Sequence, residues 1–341
     1  MAVFISFLAV IVLGAVAYLG AQSGYQYLFG VLIPYAAMAI FVAGFAVKVL
    51  NWARSPVPFR IPTTGGQQKS LDWIKRSPLD NPTNGGETVL RMILEVLTFR
   101  SLFRNTKMWL HPGPRVSYPS AKWLWLFALL FHYSFLVIFL RHFRLFLEPV
   151  PIPIQIMEFM DGIFQVGVPR LYQSDLIIVA ALLFLFLRRI FDGRVRYISL
   201  AQDYFPLFLI LGVVLTGIWM RYFGKTDIAG VKVMTVGLMS FKPVITKDVG
   251  AIFYAHLFLV STLLIYFPFS KLMHMGGVFL SPTRNLPNDT RIRHHDNPWN
   301  PPKKFHTYAA YEDEFRAHMI EVGLPVDKMP DEVDETAAEK E

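Results

Sequence analysis

The chain has no cysteine among its 341 residues. It therefore forms no disulfide, holds no thiolate-ligated iron–sulfur cluster and carries no covalently attached c-type haem, because each of these needs sulfur from the protein. Any redox metal must be held by histidine or another non-thiolate ligand, and cluster chemistry must belong to another polypeptide. Charge is also scarce. Asp, Glu, Lys and Arg make up 17% of the chain, against about 25% in an average soluble domain. With 54% hydrophobic residues, a mean hydropathy of +0.40 and several long uncharged runs, the composition predicts an all-α integral membrane protein. The net charge of +8 does not point to nucleic acid, because the basic residues flank apolar runs, as topology signals do.

Six apolar runs are long enough to cross a bilayer: roughly Val3–Leu19, Tyr27–Leu50, Trp123–Leu147, Asp175–Phe191, Tyr204–Tyr222 and Val249–His274. The first lacks the basic n-region of a signal peptide and exceeds a usual h-region, so it reads as a retained helix. Pro268 interrupts the last run and predicts a kink. The expected organisation is two N-terminal spans (1–50), a cytoplasmic loop (51–121), a four-helix part (122–275) and a cytoplasmic tail (276–341). The loop holds ten Lys/Arg against four Asp/Glu. Within it, Leu90, Ile93, Leu94 and Leu97 predict an amphipathic helix over Glu87–Phe103, lying on the membrane, on a partner or on the protein's own loops. Residues 148–174 read as an irregular connection and 221–248 as a modest polar loop. The acidic end, 331–341, reads as disordered. The positive-inside rule places both termini and the large loop in the cytoplasm of a prokaryotic cell, with the spans in its inner membrane.

The third run carries His132 and His142, and the last carries His256 and His274. Ionisable residues at membrane depth are costly and mark function by default. The two runs are antiparallel in this topology, which pairs His132 with His274 on the cytoplasmic side and His142 with His256 on the outer side. Ten helical residues rise about 15 Å and eighteen about 27 Å, so tilt or the Pro268 kink must absorb about 12 Å. Each pair can clamp one haem through two axial imidazoles. That leaves no open iron position and suits electron transfer. The remaining histidines, His111, His294, His295, His306 and His318, read as solvated polar sequence. The competing reading is a transporter or proton channel with a histidine relay. No inverted repeat supports it, and membrane carboxylates are nearly absent.

A histidine pair ten apart on one span and a pair eighteen apart on the last resembles the membrane cytochrome b subunit of respiratory nitrate reductase, over roughly residues 27–275. The loop stretches PFRIPTTGGQQKSLDWIKRSPLDNP (58–82) and TFRSLFRNTKMW (98–109) resemble the DsrM-type cytochrome b subunit of the Dsr membrane complex of sulfate reducers and sulfur oxidisers. The chain is also similar to the cytochrome b subunit of heterodisulfide reductase. The resemblance implies a haem-binding bundle with two b-type haems, an inner one on His132 and His274 and an outer one on His142 and His256. It implies menaquinol or menaquinone exchange near the outer haem. It further implies a cytoplasmic iron–sulfur subunit of heterodisulfide-reductase type, together with other Dsr subunits, in dissimilatory sulfur metabolism. Arg141 and Arg144, at the outer end of the third run, are candidates for contacting the quinone or the haem propionates.

Overall fold

The computed structural model describes residues 1–55, 73, 75–162, 169–246, 249–289 and 305–329. Among the described residues five helices are long and apolar enough to cross a membrane: Ala2–Gln22 (α1), the Leu28–Arg54 helix, Lys122–Phe146 (α5), the Ala201–Phe223 helix and the Ala251–Phe269 helix. The second opens with a π-turn at Leu28–Leu32 and continues as Ile33–Arg54 (α2). The fourth is Ala201–Ile218 (α9) ending in a π-turn at Trp219–Phe223. The run expected as the fourth span forms the helix Gln173–Phe191 (α7), which is not among these five; Asp175, Arg188 and Arg189 lie in its terminal turns.

Packing follows small residues. On α1 the buried positions are Ser6, Val10, Ala17 and Ala21, spaced along the face that meets α9 and the helix Ala251–Tyr266 (α11). In lipid, helices gain from close backbone approach more than from hiding apolar surface. The large aliphatic residues of α1, among them Ile5, Leu8, Ile11 and Val12, accordingly point outward. Pro206 inside α9 cannot donate to the Gln202 carbonyl, and the Tyr266 hydroxyl supplies that bond at 3.3 Å.

The last run is not one helix. α11 stops at Tyr266, and Phe267–Phe269 forms a 3₁₀ turn around buried Pro268. Ser270 is extended, Lys271–Met273 forms a second 3₁₀ turn, and the short helix His274–Gly277 (α12) follows. The expected kink is thus a full break. His274 sits on a separate piece of backbone, and the chain reaches it without traversing eighteen residues of helix.

Two expected connections contain helices. Ile152–Asp161 (α6) starts after Pro151, with Pro153 in its first turn, where proline is tolerated. Ile228–Met239 (α10) is capped by Asp227 and packs Val231 and Met234 into the core beside Tyr254. The segment 221–248 is therefore not a polar loop. Its basic residues fall mostly outside IAGVKVMTVGLM, which is apolar except for Lys232 and Thr235.

The 51–121 region contains Gly85–Thr98 (α3), Arg100–Arg104 (α4) and a hairpin of Trp109–His111 (β1) with Arg115–Ser117 (β2). Asn84 caps α3 by accepting from the Glu87 N–H at 2.9 Å. Gly193–Ile198 (α8) links α7 to α9. Pro282–Asn285 (α13) lies against α3, and Arg284 pairs with Glu95 at 3.6 Å. Asn288 donates to the Pro82 carbonyl and to Asn81 Oδ1, both at 2.6 Å, which ties the chain after the last span to the loop. Residues 305–329 belong to a second compact unit, built on Tyr308–Glu321 (α14). There, Glu312 accepts from the backbone N–H groups of Asp327 and Lys328. The residues expected to be disordered, 331–341, lie outside the described residues.

Candidate functional site

α5 and α11 carry three of the four histidines, yet they make almost no close backbone contact with each other. α5 leans on α7, α6, α10 and α4, and α11 leans on α1, α2 and α9. Across the gap the histidines meet in the expected pairs. The rings of His132 and His274 have centroids 5.9 Å apart with planes at 85°. Those of His142 and His256 are 6.4 Å apart with planes at 11°. Two imidazoles on opposite sides of one metal sit about 6.3 Å apart, from a nitrogen–metal bond of about 2.0 Å and about 1.15 Å from that nitrogen to the ring centre on each side. Both separations fit a shared iron. The break after Tyr266 lets both pairs reach this spacing at once.

The hydrogen bonds of the rings point the same way. His132 Nδ1 donates to the Ala128 carbonyl at 2.7 Å, His142 Nδ1 to Ile138 at 2.6 Å and His274 Nδ1 to Lys271 at 2.9 Å. A carbonyl only accepts, so the proton is on Nδ1 and Nε2 keeps its lone pair for a metal. His256 differs. Its Nδ1 lies 2.9 Å from Thr216 Oγ1, a side chain of α9. That hydroxyl is 2.7 Å from the Gly212 carbonyl and 2.9 Å from Val213, so its hydrogen is already directed to the backbone and its oxygen accepts from His256. Next to it, a Cβ at Gly217 would meet His256 Cε1 at 3.4 Å. The ring is held by a hydroxyl on one side and given room by a glycine.

Beside the His142 pair is a network of charges. Arg141, 7% exposed, donates from Nη1 to Asp161 and from Nη2 to Asp175, the latter at 2.9 Å. Asp161 also accepts from the Ser174 N–H and hydroxyl, at 2.8 and 2.6 Å, and Asp175 from the Tyr222 hydroxyl at 2.8 Å. The Tyr172 ring is sandwiched between two guanidinium groups, Arg141 at 3.5 Å and Arg221 at 3.9 Å. Arg221 and Tyr222 both lie in the π-turn at Trp219–Phe223, and the Tyr222 hydroxyl oxygen accepts from the Tyr172 N–H at 3.0 Å. Arg144 and the Tyr172 hydroxyl both bond Glu158 on α6. Burial pushes the Tyr172 phenol up, and its bond to Glu158 adds to this. Arg141, Arg144 and Arg221 against Asp161, Asp175 and Glu158 leave the network neutral. Arg141 is fully committed within the protein, whereas Arg144 and Glu158 keep about a quarter of their side chains exposed.

The sequence singled out the four histidines and both arginines. It missed Thr216, Asp161, Asp175 and Tyr172. Asp175 was legible as a charge at a span boundary, but a threonine inside an apolar run carries no signal of its own. His111 is exposed and 2.8 Å from the Ser117 hydroxyl, and His306 and His318 are exposed beside Glu314 and Glu321. His294 and His295 lie outside the described residues. Among the described residues no group of three or more His, Asp or Glu is placed to hold a metal ion.

Beside the His132–His274 pair, Phe99 packs its ring edge-on against His132 at 5.0 Å. It does so from a left-handed backbone conformation, φ 49°, at the corner between α3 and α4. Beneath that corner Asp80 accepts from Arg100, at 2.6 Å, and from Arg104. Burial would raise its pKa, but hydrogen bonds from Arg100 and Ser77 and the two arginine charges outweigh this and hold it at about 2.

The sequence pattern of the nitrate reductase gamma subunit family matches residues 117–288, a stretch that contains all four histidines. Over 281 residues the chain is 50% identical to the Hdr-like menaquinol oxidoreductase cytochrome b-like subunit of Archaeoglobus fulgidus, covering 80% of this chain and 84% of that one. The subunit of the same description from Archaeoglobus profundus is 41% identical over 276 residues, 79% of this chain and 82% of that one. The fold, the matched stretch and these relatives agree with the resemblance drawn from histidine spacing: the chain belongs to the nitrate reductase gamma subunit family.

Proposed function

We propose that this chain is the dihaem cytochrome b subunit of a membrane complex, moving electrons between menaquinol or menaquinone and a cytoplasmic iron–sulfur partner of heterodisulfide-reductase type in dissimilatory sulfur metabolism. The observation that carries the reading is the two histidine pairs, 5.9 and 6.4 Å between ring centres, with α5 on one side and α11 and α12 on the other, whose backbones make almost no close contact with α5. A haem b held by each pair would supply a one-electron iron couple, which suits electron transfer.

The residues of the chain have separable tasks in this reading. His132 and His274 hold the inner group, and His142 and His256 the outer one. Four Nδ1 hydrogen bonds fix the tautomers, and such bonds raise the basicity of the ligating nitrogen. Arg141 positions α5 against α6 and α7 through Asp161 and Asp175, and by doing so sets the register of His142. Arg144 and Glu158 are the exposed end of the same network. They offer a donor to a quinone carbonyl or a haem propionate and a carboxylate to take the proton that a quinol must lose. The relatives whose names include menaquinol oxidoreductase support the choice of quinone. In this reading the loop and tail are the surfaces offered to the iron–sulfur partner, which would supply the thiolates that a chain without cysteine lacks.

The test is optical. Membranes containing the chain should show a b-type band when reduced with dithionite, with two haems per polypeptide and partial reduction by a menaquinol analogue. No b-type band would sink the proposal. Affinity purification of the tagged chain from its native membrane should bring down an iron–sulfur protein, whose cofactors then name the reaction.

A further inference from the structure

α3 is amphipathic with its faces reversed. Its charged residues, Glu87, Arg91 and Glu95, turn toward the protein along with Thr88, whereas Val89, Leu90, Ile93 and Leu97 are exposed by 59, 48, 47 and 53%. A helix on a water-facing surface has the opposite arrangement. The end of α3 is also fixed in depth. Trp125 Nε1 donates to the Thr98 carbonyl at 2.7 Å and the Tyr133 hydroxyl to Leu97 at 2.9 Å, so two side chains of the membrane-spanning α5 satisfy last-turn carbonyls that a helix leaves open. Tyr133 is eleven residues past Lys122, about 16 Å along α5, and its side chain slants back toward the start of that helix. The C-terminal turn of α3 therefore lies between the levels of Trp125 and Tyr133, inside the tryptophans at the mouth of the span. Next to it, α5 presents Tyr133, Leu136 and Phe139 outward, exposed by 44, 47 and 54%. The aliphatic face of α3 is continuous with this lipid-facing strip.

We propose that α3 is an interfacial membrane helix: its Val89–Leu90–Ile93–Leu97 face is sunk into the lipid of the leaflet on the side of the His132–His274 pair. Its charged face is turned inward over the Asp80–Arg100–Arg104 cluster. In this position the helix screens the inner pair from lipid and carries Phe99 to the His132 ring. A protein partner seated on the same face is the competing occupant. Lipid is favoured because the face has no exposed charge and runs without interruption into the surface of a span.

The chain has no cysteine, so single labels can be placed without background. Leu90→Cys and Ile93→Cys each carry an environment-sensitive fluorophore in the full chain. Phe139→Cys serves as the bilayer reference, and each protein is measured in lipid nanodiscs with whatever subunits co-purify. Both α3 labels should lose fluorescence to brominated lipid as strongly as the Phe139→Cys label and resist aqueous iodide. Quenching by iodide and not by brominated lipid would overturn the proposal in favour of a water-facing helix. Protection from both quenchers would overturn it in favour of a protein partner.

Discussion

Replacing Thr216 with valine keeps the shape of the side chain and removes the one hydroxyl that accepts from His256 Nδ1. The other three ligand candidates use backbone carbonyls, so this is the only ring whose orientation a side-chain substitution can release without touching a histidine. A buried donor left without an acceptor costs about 1–3 kcal/mol, which at about 1.4 kcal/mol per decade is roughly 5- to 150-fold weaker retention of the group bound there. The range overlaps the roughly 10- to 100-fold loss usual when the partner of a metal-binding histidine is removed. The assay is haem content per polypeptide through successive rounds of detergent dilution, read by pyridine haemochrome and by the reduced-minus-oxidised spectrum. Thr216→Val should fall from two haems to one, while Thr216→Ser, which restores the oxygen, should keep both. Retention of both haems by Thr216→Val with wild-type tenacity would refute the reasoning, and would mean that a backbone carbonyl such as that of Val213 holds the ring instead.

Other consequences follow from the same geometry. Arg141→Ala leaves Asp161 and Asp175 buried without their cation and should destabilise the protein by about 3–5 kcal/mol, seen as a large drop in Tm; an unchanged Tm would show that water or another cation serves equally well. Pro268→Ala restores an N–H to the helix and lets α11 run on, carrying His274 out of reach of His132; the haem count should fall to one, and a count of two would show that the break has another cause. Asp80 has its pKa held near 2, below its ordinary 3.8. A carboxylate with a lowered folded pKa stabilises at pH above the ordinary value and loses that contribution as pH falls through the folded one. The Tm difference between wild type and Asp80→Asn should therefore be constant above about pH 5 and shrink steadily from there to about pH 1, and a difference that stayed constant down to pH 2 would contradict the assignment.

The spans were legible because lipid demands about twenty apolar residues in a row, and no other arrangement explains such runs. The four histidines were legible for the complementary reason, that ionisable groups in such runs need a use. The helices α6 and α10 were not. α6 is ten residues and begins at a proline-rich stretch, and α10 is too short to cross and was masked by the basic residues around it. Pro268 announced a disturbance, but the sequence alone does not distinguish a bent helix from one that ends and restarts as 3₁₀ turns. Thr216, Asp161 and Tyr172 gain their meaning from neighbours 40, 20 and 31 positions away, His256 and Arg141 among them. Contacts at that separation leave no local pattern to read.

The gap between α5 and α11 bears on the order in which the molecule is built. His132 leaves the ribosome 124 residues before His256 (256 − 132 = 124), a lag of roughly 6–25 s at bacterial synthesis rates of about 5–20 residues per second. During that interval α5 has α6 and α7 to lean on and needs nothing from α11. When α11 arrives, α9 and α10 supply the packing that brings its histidine up to α5: Leu263 joins Phe131 and Ile138 in one cluster, and Tyr254 joins Met234 and Leu145 in another. Under the proposed function, haem comes into play only once α11 is in place, so chains starved of it should reach the membrane with their helices packed and their histidine pairs unclosed.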